Sequence, residues 1–197
     1  MMLRRQFILS ASAALATGGF GLAGCTTTPP KSGSDTSENA DKRRSINAGV
    51  DTTLARLYTA ASGSRELVAK ARGVLVFPSV IQAGFWIGGQ YGEGALRVGG
   101  QTAGYYSTAG GSFGLQIGAQ SKAIIFLFMT QDALDRFRNS DGWAVGADAT
   151  VAVVKVGANG NIDTSTATDP IQAFVLTNAG LMAGVSLEGT KVTRLRI

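Results

Sequence analysis

The 197-residue chain reads as α+β: a Gly-rich, mainly antiparallel β-sheet domain with an N-terminal amphipathic helix and a mid-chain helix. Three observations carry that reading. Gly fills 27 positions, about twice its usual share of ~7%, with no three-residue period, which suits strands that turn and approach closely rather than collagen. Apolar residues make up 45% of the chain, too many for general disorder, and charged residues only 16% against roughly 25% in ordinary globular chains. Apolar spacing also changes along the chain, from threes and fours to alternation or short unbroken runs at about Val74, and back to helical spacing near Thr130.

The first helix is expected to begin near Asp41 or Lys42. Ile46, Val50, Leu54 and Leu57 follow at steps of four, four and three and draw one apolar stripe. A second, short helix fits Ser64 to Arg72, with Ser64 as N-cap, Leu67, Val68 and Ala71 inward and Gly73 as the stop. Val74-Leu75-Val76-Phe77 reads as a buried strand ended by Pro78. From Gly84 to Gly94, Phe85, Ile87 and Tyr91 share one face and Trp86 and Gln90 the other. Leu115, Ile117 and Ala119 alternate with Gln116, Gly118 and Gln120, and Ala123 to Met129 suits a central strand covered on both faces. Thr130 caps a helix to about Asn139, with Asp132 near its positive start, Arg136 and Arg138 near its negative end, and Leu134 and Phe137 inward. Strands follow around Val151–Val156, Ala173–Thr177 and Leu181–Leu187, with turns at Asn159-Gly160 and Asn178-Ala179-Gly180. The last strand puts Arg194 and Arg196 on one side and Thr193, Leu195 and Ile197 on the other.

Ahead of this domain, residues 1–24 read as an export signal. Arg4 and Arg5 give the positive start, and Phe7 to Leu22 is uncharged and mostly apolar. Leu22-Ala23-Gly24-Cys25 looks like the lipobox of bacterial lipoproteins, in which the Cys thiol takes a diacylglycerol before cleavage. Cys25 is the only Cys, and it falls where that chemistry needs a thiol. Arg4-Arg5-Gln6-Phe7-Ile8-Leu9 also resembles a twin-arginine signal, and Thr26, in place of Asp, favours sorting to the outer membrane, facing the periplasm. Residues 25–41 contain no large apolar residue and read as a flexible tether, leaving 42–197 as the folded domain. Loss of residues 1–24 removes two Arg and no acid, so the net charge goes from +5 to +3. Gly73 to Gly92 is uncharged for twenty residues, but Pro78 and five Gly make it sheet rather than a bilayer helix.

The composition excludes much chemistry. With no His there is no imidazole base or ligand, and one Cys cannot form an intramolecular disulfide or a multi-Cys metal site. Gly94 to Thr102 has the outer spacing of a phosphate loop but lacks its Lys, and Gly89 to Gly94 has reversed dinucleotide spacing. Asn159, Asn161 and Asp163 alternate like calcium ligands, but the closing Glu is missing, Gln172 standing there. No catalytic residue, metal or cofactor is therefore assigned. A carboxylate-only hydrolase using Glu93 and Glu188 is the enzymatic alternative, and nothing in the sequence brings those two together. Nucleic-acid binding is not expected, because aromatics do not interleave with the basic residues.

The feature with binding chemistry is the first helix. Lys42, Arg43 and Arg44, with Arg56 further along, flank the stripe of Ile46, Val50, Leu54 and Leu57. A basic residue near anionic lipid is worth about 1 kcal/mol, and an apolar stripe can enter below the headgroups. The same pattern also describes a helix docked on its own sheet with a solvated basic cluster, and periodicity leaves both open.

From about Arg43 to Ile197 the sequence resembles the SYLF domain family. The resemblance lies in Phe77-Pro78-Ser79-Val80 with Ala83-Gly84-Phe85, in Gly88-Gly89-Gln90-Tyr91-Gly92-Glu93-Gly94, in residues 111–121 (GSFGLQIGAQS) and in Phe126-Leu127-Phe128-Met129-Thr130. It continues through Gly142-Trp143, Gly146-Ala147-Asp148 and residues 180–191 (GLMAGVSLEGTK). The resemblance implies a lipid-binding module: eukaryotic members bind phosphoinositides, partly through an amphipathic N-terminal helix, and fungal members bundle actin. Bacterial members are typically exported lipoproteins. Carried over, the lipid site maps to Lys42, Arg43, Arg44, Ile46, Val50, Leu54, Arg56 and Leu57, and actin does not transfer to an exported protein. The expected function is non-enzymatic binding of membrane phospholipids, of anionic or phosphoinositide type, by an envelope lipoprotein anchored through acylated Cys25. The alternative is an envelope lipoprotein that binds a protein partner without recognising a headgroup.

Overall fold

A strand of 26 residues organises the domain. In the computed structural model, which describes residues 32–114, 120–156, 161–162, 169–182 and 185–197, β1 runs from Gly73 to Val98. Laid straight at about 3.3 Å per residue it would far exceed the ~30 Å of a small domain. It bends instead, and its two parts have different neighbours. Gly73–Gln82 pairs antiparallel with β3 (Gln120–Phe128), and Trp86–Val98 pairs antiparallel with β2 (Gln101–Gly114). The later part crosses over the earlier one. A Cβ on Gly92 would stand 2.7 Å from the Ser79 carbonyl oxygen, and one on Gly94 would overlap the Val76 carbonyl oxygen. Only glycine allows two backbones so near each other.

Around β1 the sheet continues with β4 (Trp143–Ala144), β5 (Ala152–Val153), β6 (Ile171–Thr177), β7 (Gly180–Leu181) and β8 (Lys191–Leu195). The eight strands lie in the order β4-β8-β2-β1-β3-β6-β5, with β7 beside β6. The described pairings between these strands are antiparallel except β5 with β6. Period two then sorts side chains into two cores. On one face Leu75, Phe77, Leu96, Phe126 and Val175 meet Leu134 and Phe137 of α3 (Gln131–Asn139). Trp143 stands edge-on to Phe126 and to Phe137, at 5.5 Å between ring centres in each case. On the other face Val74, Val76, Ala95, Ile125, Leu127 and Phe174 meet Ile46, Val50 and Leu57 of α1 (Ser32–Ala60). The central strands are thus buried on both faces, as expected for Ala123–Met129.

The mid-chain helix matches its expected start: the Thr130 hydroxyl accepts from the Ala133 N–H, and Asp132 pairs with Arg136. Elsewhere the structure differs. Pro78 does not end its strand. The register slips between Phe77 and Val80, and a bulge accommodates the residue that has no N–H to give. Ser64 is not an N-cap. That position belongs to Gly63, at φ 84°, and the Ser64 hydroxyl donates back to the carbonyls of Leu57 and Ala61, tying α2 (Ser64–Lys70) to the end of α1. α1 starts at Ser32, so part of the tether expected over 25–41 is helical; a docked helix propagates at little cost once its nucleus is held. Between Val151 and Val156 only Ala152–Val153 forms strand, and beyond Leu181 none of the described residues before Lys191 does. The alternation at Leu115–Ala119 and the Asn159-Gly160 turn lie outside the described residues.

Two substitutions test the crossing. Gly94→Ala should cost about 3 kcal/mol or more, because backbone must move to admit the methyl group. Gly89→Ala, in the same strand with nothing within 4 Å of its Cβ, should stay within about 0.5 kcal/mol in urea unfolding. Equal effects would show that the crossing is not what fixes β1. Thr130→Ala should cost about 1 kcal/mol through the lost cap.

Candidate functional site

The surface built by α1 combines the basic residues with the apolar stripe. Ile46, Val50 and Leu57 are buried at 8%, 0% and 0% exposure, and Leu54 is half-buried at the edge of the same cluster. In this arrangement the stripe is the helix's seat on β1, β3 and β6 rather than a free face.

Polar contacts pin the helix along its length. Lys42 Nζ donates to Glu93 Oε1 at 2.8 Å, and the Tyr91 hydroxyl donates to the same oxygen at 2.8 Å. One turn on, Asn47 Nδ2 donates to the Tyr105 hydroxyl and its Oδ1 accepts from Thr102, both at 2.9 Å. Arg97 of β1 pairs with Asp51 at 2.9 Å. Arg56 Nη2 donates to the Thr177 carbonyl at 3.0 Å, reaching the turn between β6 and β7. The expected cations therefore divide. Lys42 and Arg56 hold α1 to the sheet. Arg43 and Arg44 are exposed, Arg44 beside Asp41 on the next turn back.

Sequence reasoning did not find the pins. Asn47 and Asp51 sit four residues apart beside the stripe, which was their only signal, and Glu93 and Tyr91 lie almost fifty residues away in a Gly-rich strand. The environment of Glu93 explains its ionisation. Partial burial pushes its carboxyl up, but the hydrogen bonds from Lys42 and Tyr91 and the Lys42 charge outweigh that, leaving it below the ordinary carboxylate range. The Tyr91 phenol is pushed up by its bond to Glu93. Glu188 stands elsewhere, against Gly146, so the two glutamates have separate surroundings. Among the described residues no group of three His, Cys, Asp or Glu could hold a metal, and no helix is long and apolar enough to cross a membrane. Arg4, Arg5, Leu22, Ala23, Gly24 and Cys25 lie outside the described residues, as do Asn159 and Asp163 of the calcium-like spacing.

The chain from the end of β2 through β8 also has relatives. The Ysc84 family, described as "Las17-binding protein actin regulator", matches residues 109–196. This stretch is similar to the Ysc84 (SYLF) family. The Xenopus laevis "SH3 domain-containing YSC84-like protein 1" is 30% identical over 129 residues, covering 63% of this chain and 38% of its own length. The chain thus aligns with little more than a third of that relative. SYLF domains form a family of binding domains, for actin and lipid. The family match is narrower than the resemblance drawn from Arg43 onward, and α1, α2 and β1 lie ahead of it.

Glu93→Gln should loosen α1 around Lys42 and cost up to about 1 kcal/mol, as a partly exposed ion pair does. Because the Glu93 carboxyl is lowered in the folded state, its contribution is present above the ordinary carboxylate range and is lost as pH falls through the folded value. Hydrogen exchange of Lys42–Ala48 should therefore quicken in acid in the wild type and change less in Glu93→Gln. Identical pH profiles would remove the pin.

Proposed function

We propose that this protein binds phospholipid headgroups without chemical turnover, as a cell-envelope lipoprotein anchored through acylated Cys25. The observation that carries the proposal is that Arg43 and Arg44 stand exposed on α1 while its apolar stripe faces inward. Cys25 precedes α1 by seven positions, so an anchor there keeps the helix start close to a bilayer surface.

Magnitudes favour binding with α1 still docked. Freeing Ile46, Val50 and Leu57 gives up about 1.5–3 kcal/mol each, whereas Lys42, Arg43 and Arg44 each gain about 1 kcal/mol at an anionic surface. Headgroup attraction alone does not strip the helix from its sheet. The contact is electrostatic, made by guanidinium groups that suit phosphate oxygens.

The test is co-sedimentation of residues 26–197, without acyl chains, with neutral and anionic vesicles at two salt concentrations. Binding should be confined to anionic vesicles, weaken at higher salt and fall several-fold in Arg43→Glu/Arg44→Glu. Unchanged binding of that variant at low salt would exclude the surface. A protein-binding function is the second reading, favoured by the family's description as Las17-binding and by the position of the match, which runs from the end of β2 through β8 and leaves out α1. A domain that ignores vesicles and co-purifies with a defined envelope protein would support it.

A further inference from the structure

Among the described residues the sheet curls but does not close. There its outermost strands, β4 and β5, are joined through residues 145–151 and pair with β8 and β6 respectively. At this seam lies a cavity of about 460 Å³, within the ~300–1,000 Å³ usual for small-molecule sites. Its walls are Val145, Val151, Val153, Val185 and Leu187, which pack on the Phe126–Trp143 core, so the floor is apolar and continuous with the interior. Gly146, Thr150 and Ser186 also line it, with two opposite charges, Lys155 and Glu188, that are both exposed. The position is fixed from behind: Val145 and Gly189 exchange backbone hydrogen bonds with Thr190 and Val145.

We propose that this seam cavity binds a zwitterionic single-chain amphiphile of the lysophosphatidylethanolamine type. The valine walls take the acyl chain, Lys155 faces the phosphate and Glu188 the ammonium. An apolar slot with one cation and one anion at its mouth matches that class better than a simple anion, which Glu188 repels, or a two-chain lipid, which the volume does not suit. The site is independent of α1, since none of its residues belongs to that helix.

The experiment is calorimetric titration of the full chain with lysophosphatidylethanolamine below its micelle concentration. Binding at one per chain is expected, with at least a tenfold loss in Val153→Trp and in Val185→Phe, two separate ways of filling the cavity; unchanged melting temperature in either shows the fold intact. Glu188→Gln should weaken this ligand several-fold yet strengthen myristate, a chain with only an anionic head. Glycerophosphoethanolamine, the head alone, should bind far more weakly. Equal affinity in wild type and both filled variants overturns the site, and myristate binding as tightly as the zwitterion overturns the headgroup assignment. Arg43→Glu/Arg44→Glu should leave this titration unchanged, which separates its outcome from that of the vesicle test.

Discussion

The close crossing of β1 over itself is the constraint on which the remaining architecture rests. With Gly94 lying on the Val76 carbonyl, Leu75 and Phe77 from one part of the strand meet Leu96 from the other, and the aromatic cluster of Phe126, Phe137 and Trp143 gathers around them. The alternate residues of the same strand, Val74, Val76 and Ala95, point to the opposite face and form the seat of α1. One strand therefore enters both cores and both central ladders. A side chain at the crossing would push apart two layers, not one, because close-packed interiors have no slack to absorb it.

That geometry also decides which charges are left for binding. Glu93 lies one residue before the crossing glycine, on the face toward α1, where it meets Lys42. Arg97 lies four further along and meets Asp51. Both pairs bridge helix and sheet, and Arg56 adds a third tie at the far end. Once those are spent on holding α1, Arg43 and Arg44 remain outward. The distinction between structural and available cations comes from the partner each finds on the sheet, Glu93 for Lys42 and the Thr177 carbonyl for Arg56, not from any difference within the basic cluster.

Local signals were legible and distant ones were not. Thr130 with Asp132 and Arg136 announces α3 because cap, dipole and ion pair all act within one turn of the chain. The two-faced burial of β3 is visible in an unbroken apolar run. Pro78 misleads, since the rule that proline ends a strand has an exception at bulges, and a bulge depends on the register of a neighbour over forty residues later. Ser64 misleads for a similar reason: its hydroxyl has two uses, and the carbonyls of α1 claim it. In the candidate site, the stripe of Ile46, Val50 and Leu57 was evident as a stripe, but period alone does not tell a core from a bilayer. What resolves it is Phe174, Ile125 and Val76 on the other side.

The unclosed seam has its own physical logic. An edge strand invites unwanted pairing, and short edges are one way of limiting it. Here both β4 and β5 are two residues long, and the described residues 185–190 before β8 form no strand. A fully closed barrel would bury Val153 of β5 against Val185; an unclosed one leaves both half-buried around a space. Half-buried valines contribute only part of the free energy of full burial. The domain thus forgoes stability at the seam, and a ligand with an apolar chain is the kind of molecule that would recover it.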